Sequence, residues 1–188
     1  GDGDLLDRIL RPGFEQAAVI VEGAATENAH RVTGKLQGSL GSYLEGETKH
    51  VAVALAGIAR SARDQGIPLR PPACLLSGGE TTVTLCADPG KGGRNQEFVL
   101  AALHQLRREG LERIVVLSGG TDGEDGPTDA AGAIADAGTW DRAAALKLAA
   151  GDYLARNDAY SFFEATGDLL KTGLTQTNVM DVRLMLVG

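Results

Sequence analysis

The sequence predicts an α/β fold, a mixed sheet with helices on both faces and glycine-rich loops at the strand ends. Three observations carry this expectation. Short apolar runs with strand character alternate with stretches of helical periodicity. Two of the strand-like runs end in the same Ser-Gly-Gly step, at Ser77-Gly78-Gly79 and at Ser118-Gly119-Gly120. The 26 glycines gather at such junctions, where close backbone approach or positive φ is needed. A length of 188 residues with 43% hydrophobic residues suits one compact domain. Aromatics are only 4%, so the core must be built from Leu, Val, Ile and Ala.

Taken in order, Ala17 to Val21 reads as a buried strand, and the pattern from there to Gly46 is weak. Thr48 to Gln65 is a helix, with Val51, Leu55, Ile58 and Ala62 on one stripe and Gly66 and Pro68 as its stop. Ala73 to Leu76 and Thr81 to Ala87 read as strands, close enough to form an antiparallel pair. Asn95 to Glu109 is a second helix, burying Val99, Ala102, Leu103 and Leu106. Ile114 to Leu117 is a strand apolar on both faces. Asp141 to Ala149 and Ser161 to Leu170 follow as helices, the latter opening with Ser161 and Glu164 in capping-box spacing. Val182 to Val187 is the closing strand.

The formal net charge of −7 argues against nucleic acid or an anionic membrane as partner. No run of about 18 apolar residues is present to span a bilayer. Gly1 to Asp4 does not open a signal peptide, and Cys74 and Cys86 lie in strand-like runs, so both read as core thiols of a cytoplasmic protein. His30, His50 and His104 show no ligand spacing.

Three loops hold candidate chemistry. In Gly90-Lys91-Gly92-Gly93-Arg94-Asn95-Gln96-Glu97, glycines and two cations lead straight into a helix, whose positive end favours an anion. Arg94 can fork two hydrogen bonds to a phosphate or carboxylate. The pattern is neither GxxxxGK[ST] nor GxGxxG, and a solvated hairpin exit is the plain alternative. The loop from Ser118 to Asp129 crowds Asp122, Glu124, Asp125 and Asp129, which points to Mg²⁺ accompanying a nucleotide or to acids that hold turns; Asp129 suits a helix N-cap. Lys171 to Asn178 is rich in hydroxyl and amide groups and reads first as a surface turn, second as a substrate loop. The repeated Ser-Gly-Gly steps, if adjacent at strand carboxyl ends, would line one crevice; they are otherwise two tight turns of similar composition.

In series, Ser77 to Thr84, Gly92 to Phe98, Gly120 to Gly123, Asp125 to Gly132, Asn157-Asp158, Phe162 to Glu164, Gly167 to Leu170 and Thr177 to Val179 resemble the C-terminal, MOFRL region of the glycerate 2-kinase family. The resemblance covers residues 73 to 187, and residues 1 to 72 match poorly. It implies that 1–72 packs on the same domain as 73–188, and that the whole belongs to a longer two-domain enzyme whose N-terminal kinase half lies outside this chain. It further implies transfer of phosphate from Mg-ATP to the 2-hydroxyl of glycerate; self-association stays open. The alternative is a non-catalytic ligand-binding or assembly module derived from the kinase; hydroxypyruvate reductase, a label that some relatives carry, comes last. On this resemblance Arg94 is the catalytic candidate. Gly78, Gly79, Glu80, Gly92, Gly93, Asn95, Gly119, Gly120 and Thr121 bind substrate or phosphate, and Asp122 and Asp125 hold the metal. Ala159, Leu174 and Gln176 depart from the family pattern.

Overall fold

A computed structural model describes residues 37–188. The strand expected at Ala17 to Val21, and much of the segment 1–72, lie outside the described residues. Among the described residues six strands form one sheet in the order β1-β2-β6-β3-β4-β5: β1 (Gln37–Ser39), β2 (Ala73–Gly79), β3 (Ile114–Gly120), β4 (Gly132–Ala135), β5 (Leu169–Leu170) and β6 (Asp181–Val187). The pair β1–β2 is parallel and every other pairing is antiparallel, so the sheet is mixed as expected.

The helices are α1 (Thr48–Gln65), α2 (Arg94–Gly110), α3 (Ala137–Ala145), α4 (Ala150–Ala155) and α5 (Ala159–Thr166). The bounds of α1 are those the periodicity predicts. It ends at Gly66 in the left-handed region, whose N–H bonds back to Ala62 O. Its buried face is Ala52, Leu55, Ala56, Ala59 and Ala62, and these small side chains let α2 approach closely. Helix α2 is the central one, buried without a break from Asn95 to Leu103.

Alternation along the strands sorts the core. Leu75, Val116, Ala133, Ala135, Met185 and Val187 face the helices in one cluster. Cys74, Val115, Ile134 and Leu186 form a second cluster on the opposite face, which no described helix joins.

Several expectations change. Thr81 to Ala87 is not a strand: only Thr82 bridges, in parallel, to Glu47, because β1 and β6 already occupy both edges of β2. Cys86 is therefore exposed, and only Cys74 is a core thiol, its pKa pushed up to about 11 by burial. The Ser-Gly-Gly steps are not turns but the last residues of β2 and β3. The expected helix at 141–149 starts earlier, because Asp136 caps α3 by accepting from Thr139 N at 2.9 Å. The expected helix at 161–170 is α5 followed by the short strand β5, with Gly167 in the left-handed region between them. Ser161 makes no capping box; its hydroxyl donates to Asp158 Oδ1 at 2.6 Å. Asp129 precedes strand β4, not a helix.

Candidate active site

The closing strand is the centre of the sheet's business end. β6 lies between β2 and β3 in a register that sets Ser77 and Ser118 beside Arg183, and Gly79 and Gly120 beside Asp181. The two Ser-Gly-Gly steps are thus not adjacent; they flank one charged strand end.

On that end the helix α2 sets down its first residues. Arg94 donates from Nε to Asp181 Oδ2 at 2.7 Å and from Nη2 to Oδ1 at 3.1 Å. Asn95 Nδ2 reaches Asp181 Oδ1 at 2.9 Å, and Arg183 Nη2 reaches Oδ2 at 3.0 Å. Asp181 and Arg183 are both 1% exposed. The network runs on from Arg183 Nη2 to Thr81 Oγ1 at 2.9 Å, which also accepts from Thr48 Oγ1 at 2.7 Å. On the other side Ser118 Oγ donates to Asn95 Oδ1 at 2.6 Å. Arg183 Nε and Nη1 find no hydrogen-bond partner among the described residues, and its guanidinium lies 5.3 Å from the Phe98 ring centroid. Burial lowers the Arg183 pKa, whereas the hydrogen bond to Asp181 raises that of Arg94.

The anion at the start of α2 is supplied by the protein itself. Asp125 Oδ1 accepts from Asn95 N at 3.0 Å, and Oδ2 accepts from Gln96 N at 2.8 Å. Burial pushes the Asp125 carboxyl up to about 6 against those stabilising donors. Gly93 permits this closeness, because a Cβ there would meet Asp125 Oδ1 at 2.4 Å. Asp122 is turned elsewhere: its Oδ1 accepts from Glu124 N at 3.2 Å and its Oδ2 from Asn178 Nδ2 at 3.4 Å. No cluster of three or more His, Cys, Asp or Glu suited to a metal occurs among the described residues. In this arrangement Asp125 caps a helix, and Asp122 latches the 172–178 loop.

A cavity of about 560 Å³ opens beside this network, lined by Glu80, Thr82, Leu85, Gly92, Gly93, Arg94, Glu97 and Asn157 among others. Arg94 Nη1 faces exposed Glu80 Oε1 at 3.3 Å. Glu97 is 3% exposed; burial raises its pKa, and Asn157 Nδ2 donates to its Oε2 at 3.0 Å.

The structure thus brings Glu80, Gly92, Gly93 and Arg94 to one cavity, with Asn95 buried directly behind. Gly78, Gly79, Gly119, Gly120 and Thr121 do not line it. Gly79 has φ +128° and a Cβ there would lie 2.3 Å from Leu44 O. Thr121 secures the later loop, donating through Oγ1 to Met180 O at 2.8 Å. Residues 171–180 are all exposed, and Lys171 pairs with Asp129 at 2.8 Å.

Sequence reasoning missed Asp181, Arg183, Thr81 and Asn157 as members of the site. A signal for the first two is visible: in Asp181-Val182-Arg183 two opposite charges at i and i+2 point to one face of an otherwise apolar strand.

Comparison with known proteins gives the family. Residues 73–181 match the MOFRL family. A protein of Agrobacterium vitis with a provisional hydroxypyruvate reductase name is 47% identical over 150 residues, covering 79% of this chain and 38% of its own. The D-glycerate 2-kinase of Thermotoga maritima is 42% identical over 144 residues, covering 77% of this chain and 34% of its own. The crystal structure of glycerate kinase from that organism superposes with a TM-score of 0.77 at 39% identity, over 81% of this chain and 36% of the other. The chain spans about a third of the length of these relatives. With the motifs, the fold and the similarity in agreement, the chain belongs to the MOFRL family.

Proposed function

We propose that this chain is the C-terminal part of an ATP-dependent glycerate 2-kinase, which phosphorylates the 2-hydroxyl of glycerate. The observation that supports this most is Arg94. Two of its nitrogens are tied to a buried carboxylate, while Nη1 stands at a cavity, opposed by an exposed, replaceable glutamate. Phosphoryl transfer asks the protein for positioning and charge stabilisation more than covalent chemistry, and a fixed guanidinium supplies both. Glu80 would yield its place to the phosphoryl group or the substrate carboxylate. Asn95 and the backbone at Gly92 and Gly93 shape the wall behind that anion. Magnesium would enter with the nucleotide phosphates, with Asp122 and Asp125 the nearest carboxylates of the 118–129 loop to hold it directly or through waters. The relatives' extra length supplies the second wall of the cleft, and the unpaired cysteines suit a cytoplasmic setting.

The reductase name of some relatives gives the competing reading, which a dinucleotide loop would favour; GxGxxG does not occur in the sequence. The experiment is turnover by the longer polypeptide that carries this chain. ATP-dependent phosphorylation of glycerate is expected. NADH or NADPH oxidation by hydroxypyruvate at comparable efficiency would overturn the kinase reading.

A further inference from the structure

Resting on that reading of Arg94, we infer that Asp181 is the site's positioning residue: its buried carboxylate holds the Arg94 guanidinium through Nε and Nη2 and thereby presents Nη1 to the anion in the cavity. Asp181 touches no substrate in this assignment; it acts through Arg94.

The carboxylate is saturated. Oδ1 takes Arg94 Nη2 and Asn95 Nδ2, and Oδ2 takes Arg94 Nε and Arg183 Nη2. Four donors on four lone-pair positions leave it no freedom to rotate. Its side chain is 0% exposed, so water and salt screen the pair little, whereas Glu80 on the other edge of Arg94 is 57% exposed. One partner is thus fixed and the other exchangeable. Strand register supplies the fixed partner: Asp181 sits between Gly79 and Gly120, at the strand end on which α2 sets Arg94 and Asn95. An arginine has many rotamers, and fixing it before the ligand arrives removes that ordering from the binding and transition-state step.

The test uses the longer polypeptide with Arg94→Ala, Asp181→Asn and the double variant. Asp181→Asn should lower kcat by about a hundredfold, as loss of one electrostatic stabiliser does. The double variant should be no slower than Arg94→Ala alone. Added guanidinium should restore turnover to Arg94→Ala by about tenfold, and restore nothing once Asp181 is also replaced. Multiplicative losses, or equal rescue in both backgrounds, would overturn the assignment. Asp181→Glu, which keeps the charge but moves it, serves if the asparagine variant does not fold; it should lower the melting temperature only modestly and kcat strongly, and wild-type kcat would overturn the assignment. A second readout needs no turnover. In ¹⁵N spectra of the wild-type polypeptide the Arg94 Nε–H should be protected from exchange and should shift when ATP or glycerate is added. A rapidly exchanging Nε–H would sink the positioning role whatever the enzyme does, whereas a protected one in a protein that does not phosphorylate glycerate would sink only the functional reading.

Discussion

At the scale of single residues, two side chains carry separate consequences. Arg94 offers Nη1 to the cavity, so Arg94→Ala in the longer enzyme should lower turnover by about a hundredfold or more, and Arg94→Lys should recover only part, because a point charge lacks the fork. Steady-state kinetics with thermal unfolding as control checks this, and near-normal turnover would return Arg94 to a structural salt bridge. Asp125 is a stability residue. Its folded pKa of about 6 lies above the ordinary 3.8. A raised carboxyl pKa means that the folded state binds the proton more tightly. Stability from this group is therefore full below about pH 4 and is lost as pH rises through about 6. The gap corresponds to on the order of 3 kcal/mol. Urea melts from pH 4 to 7 should show that decline in the wild type and a flatter profile in Asp125→Ala. Removing the cap should itself cost about 1–3 kcal/mol, since two buried N–H groups lose their acceptor.

At the scale of elements, the two long helices respond oppositely to an added methyl. Gly57 is exposed within α1, and a Cβ there meets nothing within 4 Å. Gly57→Ala should therefore stabilise the protein by about 0.5–1 kcal/mol. Gly93 precedes α2 in extended backbone at φ −140°, so alanine suits its conformation, yet the new Cβ would lie 2.4 Å from the Asp125 carboxylate. Gly93→Ala should push that carboxylate off the first N–H groups of α2 and cost about 1–3 kcal/mol, with turnover falling because Arg94 is the next residue. Chemical denaturation of both variants checks the pair. A neutral Gly93→Ala would mean that the cap tolerates displacement.

At the scale of the whole molecule, the sheet and α2 stand beside a cavity lined by Glu80, Leu85 and Arg94 among others. The described residues form a continuous core across α1, α2 and the sheet. The 188-residue chain should accordingly fold alone, with a cooperative melt, while phosphorylating glycerate at less than about a hundredth of the rate of the longer polypeptide, for want of the groups that would align the acceptor hydroxyl. Parallel assays of the two proteins decide it, and efficient turnover by the chain alone would place the complete site within these residues.

The sequence by itself determined whatever depends on neighbours along the chain. The bounds of α1 follow from a 3.6-residue stripe and its Gly66 stop, α2 from Asn95 onward from the same periodicity, and β2, β3 and β6 from short apolar runs. It also singled out Arg94 as a candidate, because glycines and a cation before a helix are a local pattern. What only the tertiary structure decided is partnership across distance. Asp125 and Asp122 look alike in sequence, yet one caps α2 from 30 positions away and the other latches a loop. Thr81 to Ala87 has strand composition but finds no free edge, since β6 returns from the far end of the chain to take it. Asp181, 87 positions from Arg94, became its counter-ion through that same return. Periodicity encodes which face of an element is buried, but a buried charge requires a partner, and only the packed chain fixes which one it meets.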